Sequence, residues 1–146
     1  MFYLCRMNHK DPISILKSHN LRVTDCRIAV LQHFMKTDHA LSQGDLEANY
    51  SEFDRVTLYR TLQNFLEKGI LHRIPDDSGF ASYGLCFETC TPDGHHHDHL
   101  HFKCSDCGHI QCLEKTSVPK IKLPKQFQVD HIDLIIEGTC INCQHA

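Results

Sequence analysis

Apolar positions recur at two spacings along this chain, and the change from one to the other divides it. From residue 11 to residue 69 they recur at intervals of three and four, the spacing of one helical face. Asp11-Pro12 reads as a cap followed by proline at the first helical position, with Ile13 and Leu16 as its apolar pair and His19-Asn20 as its end. Thr24 caps a second helix carrying Ile28, Leu31 and Met35, with Phe34 beside them. Ser42 and Asp45 form the S-x-x-D start of a third. Asp54 caps a fourth that runs to Lys68 and stops at Gly69. On this fourth helix Leu58, Leu62, Phe65 and Leu66 share a face predicted to be buried, and Arg60, Gln63 and Asn64 lie on the other side. Only a short link around residues 51–53 joins the third helix to the fourth, which fits a helix-turn-helix.

Beyond Gly69 the spacing shortens. ILHRI and FASYGL are two strand-like runs around the turn-rich Pro75-Asp76-Asp77-Ser78-Gly79. A helix-turn-helix followed by a hairpin predicts a winged helix over residues 1–84. CFETCTPDGHHH is a polar, turn-rich connector, so residues 85–97 read as a hinge and residues 98–146 as a second domain. There HLHFK alternates, with His99, His101 and Lys103 on one face and Leu100 and Phe102 on the other. Ile132, Leu134 and Ile136 alternate with Asp133, Ile135 and Glu137, predicting a strand with at least one buried face. Pro119 and Pro124 keep any helix between these strands short.

Composition narrows the class. The chain has 146 residues, 41% of them hydrophobic, with a net charge of −3. Lys+Arg and Asp+Glu balance at ten each over residues 1–83, and stand at five against eight thereafter, so neither half is a nonspecific polyanion binder. MFYLCRMNHKDP has no apolar run of signal-peptide length, and nowhere are there 18 consecutive apolar residues, which points to the cytoplasm and to no membrane partner. Thiols stay reduced there, so the nine cysteines read as metal ligands before disulfides.

Two candidate metal sites follow. Cys104-Ser105-Asp106-Cys107 pairs with Cys140-Ile141-Asn142-Cys143: each C-x-x-C aims two thiolates at one ion, and two of them complete the tetrahedral S4 shell of structural zinc. Four thiolates leave no open position, so this site is structural and non-catalytic. The stretch HHHDHLH still offers nitrogen ligands, and His99 and His101 share a strand face. Cys86 and His72 are candidates to complete that second site. Ligands from both halves would couple metal occupancy to domain orientation, which is a switch.

The segments LRVTDCRIAVL (21–31), DHALSQGDL (38–46), RVTLYRTLQNFLEKGIL (55–71), HLHFKCSDCG (99–108) and the closing CINC together resemble the ferric uptake regulator family of metal-dependent bacterial transcription factors. The resemblance spans nearly the whole chain, in the family's order. It implies an α+β fold in which the N-terminal winged helix, a helix-turn-helix with a β-hairpin wing, is followed by a small C-terminal α/β dimerisation domain. It also implies a homodimer reading a palindromic operator in double-stranded DNA. Matching TLYR to the family's recognition helix makes Tyr59 and Arg60 the DNA-contacting candidates, with Thr57 and Gln63 nearby and Arg22 as a phosphate or minor-groove contact.

Family members sense iron, zinc, manganese, nickel or peroxide. Iron and peroxide sensors generally carry carboxylates where this chain has Gly84 and Cys112. Zinc sensors resemble it at Tyr83-Gly84-Leu85-Cys86 and at His72. The resemblance thus favours Zn(II) at His72, Cys86, His99 and His101, two Zn(II) per protomer in all, and a repressor using Zn(II) as corepressor. Fe(II) at the regulatory site, with Glu114 as a carboxylate, or peroxide sensing is the alternative within the family. No role is assigned to His39, His95, His96, His97, Asp98, Cys112 or His131, and a third site using His97 or Asp98 with His131 stays open. Outside the family, a zinc-buffering or protein-interaction module explains the ligands but not the helix-turn-helix. An enzyme is not expected, nor a small organic substrate: H-E-x-x-H and the deaminase pattern are both missing from the sequence.

Overall fold

The computed structural model describes residues 11–74, 77–86, 100–113, 116, 118–129, 132 and 134–146. The chain forms two compact units, residues 1–96 and 97–146. The first unit contains α1 (Pro12–Ser18), α2 (Asp25–Lys36), β1 (Leu41–Ser42), α3 (Gln43–Asn49), α4 (Arg55–Glu67), β2 (Leu71–Ile74) and β3 (Ser82–Leu85).

All four helices start at the expected caps. Asp11 accepts from the backbone N–H of Ile13 and Ser14, Thr24 from Arg27 and Asp54 from Thr57. Ser42 and Asp45 satisfy each other's backbone N–H groups in a reciprocal capping box. Two helix ends are Schellman motifs built on a left-handed residue. At the end of α4, Gly69 has φ 71°, its N–H reaches the Leu66 carbonyl at 3.1 Å, and the Ile70 N–H reaches Phe65 at 2.9 Å. At the end of α1, Asn20 has φ 56°, with the Asn20 N–H on Lys17 at 3.1 Å and the Leu21 N–H on Leu16 at 2.9 Å. The first of these motifs turns the chain directly into β2.

The helices enclose one apolar core in which Leu16, Val30, Leu31, Leu46, Leu58, Leu62 and Phe65 are fully shielded from solvent. The buried pair of α1 is Ile15 with Leu16; Ile13, expected in that role, is exposed. Leu16 is on the core face in either register, and seven residues are too few for periodicity to choose its neighbour. The Tyr50 hydroxyl, just past α3, donates to the Ala29 carbonyl of α2 at 3.0 Å. The wing is a three-stranded antiparallel sheet in the order β1-β3-β2, and the two-residue β1 has no counterpart in the sequence reading. The second wing strand begins at Ser82, later than FASYGL suggests, because Gly79 adopts φ 81° and turns Phe80 outward, 76% exposed.

The second unit has β4 (Leu100–Cys104), β5 (Ile110–Leu113), β6 (Ile135–Gly138) and α5 (Ile141–Gln144), with its sheet in the order β5-β4-β6. The β4–β5 pair is antiparallel, whereas β6 joins β4 in parallel after a crossover of about twenty residues. No helix occurs among the described residues of that crossover, which include Pro119 and Pro124. Leu100 and His101, on opposite faces of the central strand β4, are both buried. Ile132 and Ile136, one of the two alternating sets from which a buried face was expected, are exposed.

No helix among the described residues is long and apolar enough to cross a membrane.

Candidate metal centres

The four paired cysteines converge. Cys104 ends β4, and a tight loop returns the chain to β5 through Gly108 at φ 73°, with the Gly108 N–H on the Cys104 carbonyl and the Cys104 N–H on the His109 carbonyl, each at 2.9 Å. That loop presents Cys107 beside Cys104. The second pair follows β6: Cys140 is the N-cap of α5 and Cys143 lies within it. Parallel pairing of β6 with β4 sets Gly138 opposite Cys104, and the Ser105 N–H closes on the Gly138 carbonyl at 2.8 Å.

All four Sγ atoms lie within 4.8 Å of one another, with Cys107 and Cys140 3.8 Å apart. Zinc–sulfur bonds of about 2.3 Å at tetrahedral angles require an S···S edge of about 3.8 Å, so this donor set fits a closed S4 zinc shell. The Cys104 thiol is already polarised for it. Backbone N–H groups of Cys107 and Cys140 bring the Cys104 thiol down to about 6, the latter at 3.3 Å from its sulfur, while the neighbouring Cys140 thiol pushes Cys143 up to about 12. Four thiolates this close repel one another, and a dication among them removes that repulsion.

The candidate regulatory ligands fall in both units. In the first, His72 on β2 and Cys86 just after β3 are buried, and the Cys86 sulfur lies 3.6 Å from His72 Nδ1. A tetrahedral zinc holding one sulfur and one nitrogen separates them by about 3.6 Å. Leu85 and Cys86, read from sequence as the start of the hinge, extend the wing sheet: Leu85 pairs with Leu71, and the Cys86 N–H donates to Ile70 at 2.9 Å.

In the second unit His101 is buried on β4. His99, His95, His96, His97, Asp98, Glu114 and His131 lie outside the described residues. The sequence reading gave Cys112 no role, yet the β4–β5 register sets it directly opposite His101, and their ligand atoms lie within 4.8 Å. The missing signal was the strand at 110–113; once β5 is paired, Cys112 can face only the residue that register assigns. His39 bonds to the adjacent Asp38 at 3.0 Å.

On α4 the core residues Leu58, Leu62 and Phe65 leave Val56, Tyr59, Arg60 and Gln63 on the opposite side at i, i+3, i+4 and i+7. Val56, Tyr59 and Arg60 are exposed and Gln63 is half-buried. Thr57 is engaged in the cap, its hydroxyl donating to Asp54 at 2.8 Å. Arg22 is exposed beside α2, its carbonyl accepting from the Arg27 guanidinium at 2.7 Å.

Residues 18–137 match the Ferric uptake regulator family. The chain is 34% identical over 140 residues to the ferric uptake regulation protein of Bordetella parapertussis, covering 90% of this chain and 95% of that one. It is 31% identical over 144 residues to the protein of that name from Staphylococcus epidermidis, covering 94% and 97%. The fold is similar to that of a zinc uptake regulator complexed with zinc and DNA, at TM-score 0.59 and 23% identity over 91% of this chain and 90% of that one. It is also similar to the Vibrio cholerae ferric uptake regulator, at TM-score 0.58 and 20% identity over 86% and 97%. A winged helix followed by an α/β unit carrying convergent thiols, with a family match across most of its length, means that this chain belongs to the Ferric uptake regulator family: a metal-binding, DNA-binding transcription regulator and not an enzyme.

Proposed function

We propose that this protein is a zinc-responsive repressor acting as a homodimer. One Zn(II), held by His72, Cys86, His99 and His101, is the corepressor. A second, held by Cys104, Cys107, Cys140 and Cys143, is structural. The observation that carries the zinc reading is the buried Cys86–His72 pair at 3.6 Å. Thiolate with imidazole suits Zn(II), whereas an oxygen-rich shell suits harder cations.

In this reading the first unit binds DNA, the hinge follows Cys86 and residues 98–146 dimerise. The exposed Ile121, Leu123, Phe127 and Val129, with Ile132 and Ile136, support a partner surface in the second unit. A dimer carries two α4 helices into successive major grooves of a palindrome, with Tyr59, Arg60, Thr57 and Gln63 toward the bases and Arg22 toward the backbone. Paired base contacts give a chain of net charge −3 its specificity without bulk attraction. Zinc and operator favour the same arrangement of the two units, so each strengthens the other. A coupling of about 1–3 kcal/mol changes operator affinity roughly 5- to 150-fold. Reduced thiols at both sites suit the cytoplasm.

A second reading, Fe(II) sensing at the same site, is favoured by the name of the 34% identical relative, a ferric uptake regulation protein. Binding of the purified chain to DNA upstream of its own gene, anaerobically and at fixed salt, separates the two. Tight binding at buffered trace Zn(II) and not with Fe(II) supports the zinc repressor; preference for Fe(II) overturns it. Alanine at His99 or Cys86 is expected to abolish the metal response while leaving a folded dimer.

A further inference from the structure

We propose that Val56 reads thymine: its side chain packs against the 5-methyl group of one thymine in each half of the operator. This rests on the reading of α4 as the DNA-contacting helix and adds to it a residue that tells bases apart through an apolar contact.

The position follows from the helix. α4 begins at Arg55, so Val56 lies in its first turn. In a helix-turn-helix the N-terminal residues of the second helix reach the base edges. Val56 heads the stripe that continues one turn later with Tyr59 and Arg60, away from the buried Leu58, Leu62 and Phe65. Its neighbours in that first turn are engaged within the protein. The Arg55 guanidinium pairs with Glu47 of α3 at 3.1 Å, and the Thr57 hydroxyl donates to Asp54 at 2.8 Å. Four large apolar side chains stand in solvent among the described residues of the first unit, and two of them, Val56 at 56% and Tyr59 at 50%, share this face.

Chemistry selects the occupant. A valine side chain neither donates nor accepts a hydrogen bond, so phosphate oxygens and polar base edges offer it nothing. The apolar group that the major groove presents is the thymine 5-methyl. Branching at Cβ holds a helical valine in one rotamer, so its two methyl groups stand ready in a fixed place. Contact removes apolar surface of both partners from water. Cytosine, with hydrogen at that carbon, leaves the valine without a partner. The proposed dimer presents Val56 twice, once to each half-site.

The experiment uses the full-length chain, loaded with whichever of Zn(II) and Fe(II) supports DNA binding, and a duplex that it selects from a random-sequence pool. Its outcome is thereby independent of which metal is sensed. Replacing a thymine by deoxyuridine removes the methyl group and nothing else. At one position in each half-site this replacement is expected to lower affinity about fourfold, and about fifteenfold when both halves are replaced, the effect of one buried methyl group per contact. Val56→Ala should bind the thymine duplex more weakly than the wild type and show no further loss on replacement at that position. Val56→Ile, which keeps the branched apolar surface, should retain the sensitivity. Circular dichroism and metal content of both variants should match the wild type, since the position is exposed. The same loss on replacement in Val56→Ala as in the wild type, or no loss in either, overturns the role of Val56 and leaves α4 as the DNA-contacting helix. If Tyr59→Ala and Arg60→Ala also bind the duplex like the wild type, the face itself is overturned, and this contact with it.

Discussion

The two units of this chain are stabilised in different ways. The first buries a continuous apolar core under four capped helices, with eight of its leucine, isoleucine, valine and phenylalanine side chains that pack together there at zero exposure: Leu16, Val30, Leu31, Leu46, Leu58, Leu62, Phe65 and Leu71. In the second, Leu100, Cys104 and Ile110 are the buried apolar residues among those described, while Ile121, Leu123, Phe127, Val129, Ile132, Ile136 and Ile141 stand in solvent. A segment of about fifty residues with so little buried apolar surface needs a staple. The convergent cysteines are placed to supply one, and in the proposed function the exposed apolar residues meet a partner. The described residues of one unit are organised by hydrophobic burial, and those of the other gather four thiols at one point.

The comparison breaks most sharply on the thiols. Cys143→Ala, or a strong chelator, should abolish the folded signals of the second unit while the helical signals of the first persist, as followed by NMR and far-ultraviolet circular dichroism. Acid should act the same way. Protons compete with zinc for the thiolates, so zinc retention should fall as the pH drops. Loss of helical signal in step with zinc release would contradict the separation.

Leu62→Ala tests the other side. Leu62 is fully buried on α4, and removing its methyl groups should cost about 2–5 kcal/mol. The winged helix should then melt earlier in a denaturant titration with zinc still bound at the second unit. Phe127→Glu, at a site 61% exposed, should leave both units folded and weaken self-association, read by analytical ultracentrifugation. An unchanged association constant would move the partner surface elsewhere. Thr24→Ala removes one helix cap and should cost about 1 kcal/mol in the first unit alone.

The helical half was legible because its signals are local. Asp11, Thr24, Ser42 and Asp54 act on backbone N–H groups two or three residues away, so sequence distance and spatial distance coincide. The convergence of the four cysteines was legible for a similar reason, since each C-x-x-C constrains its own two thiolates. Where local signals were weak, the reading slipped by a residue or two, as with Ile13 for Ile15 in α1 and with the onset of β3.

Strand pairing is where sequence stopped being enough. Nothing within Ile110–Leu113 announces a strand, and only its register with β4 sets Cys112 against His101. Likewise, alternation at residues 132–137 marked an apolar face without saying what would cover it, and Ile132 and Ile136 are exposed. By itself the sequence determined the four helices, their caps and the two C-x-x-C pairs, because helix signals and C-x-x-C loops act within a few residues. The tertiary structure decided which distant donors face each other, because a strand's partner and register depend on contacts made after the chain has folded back on itself.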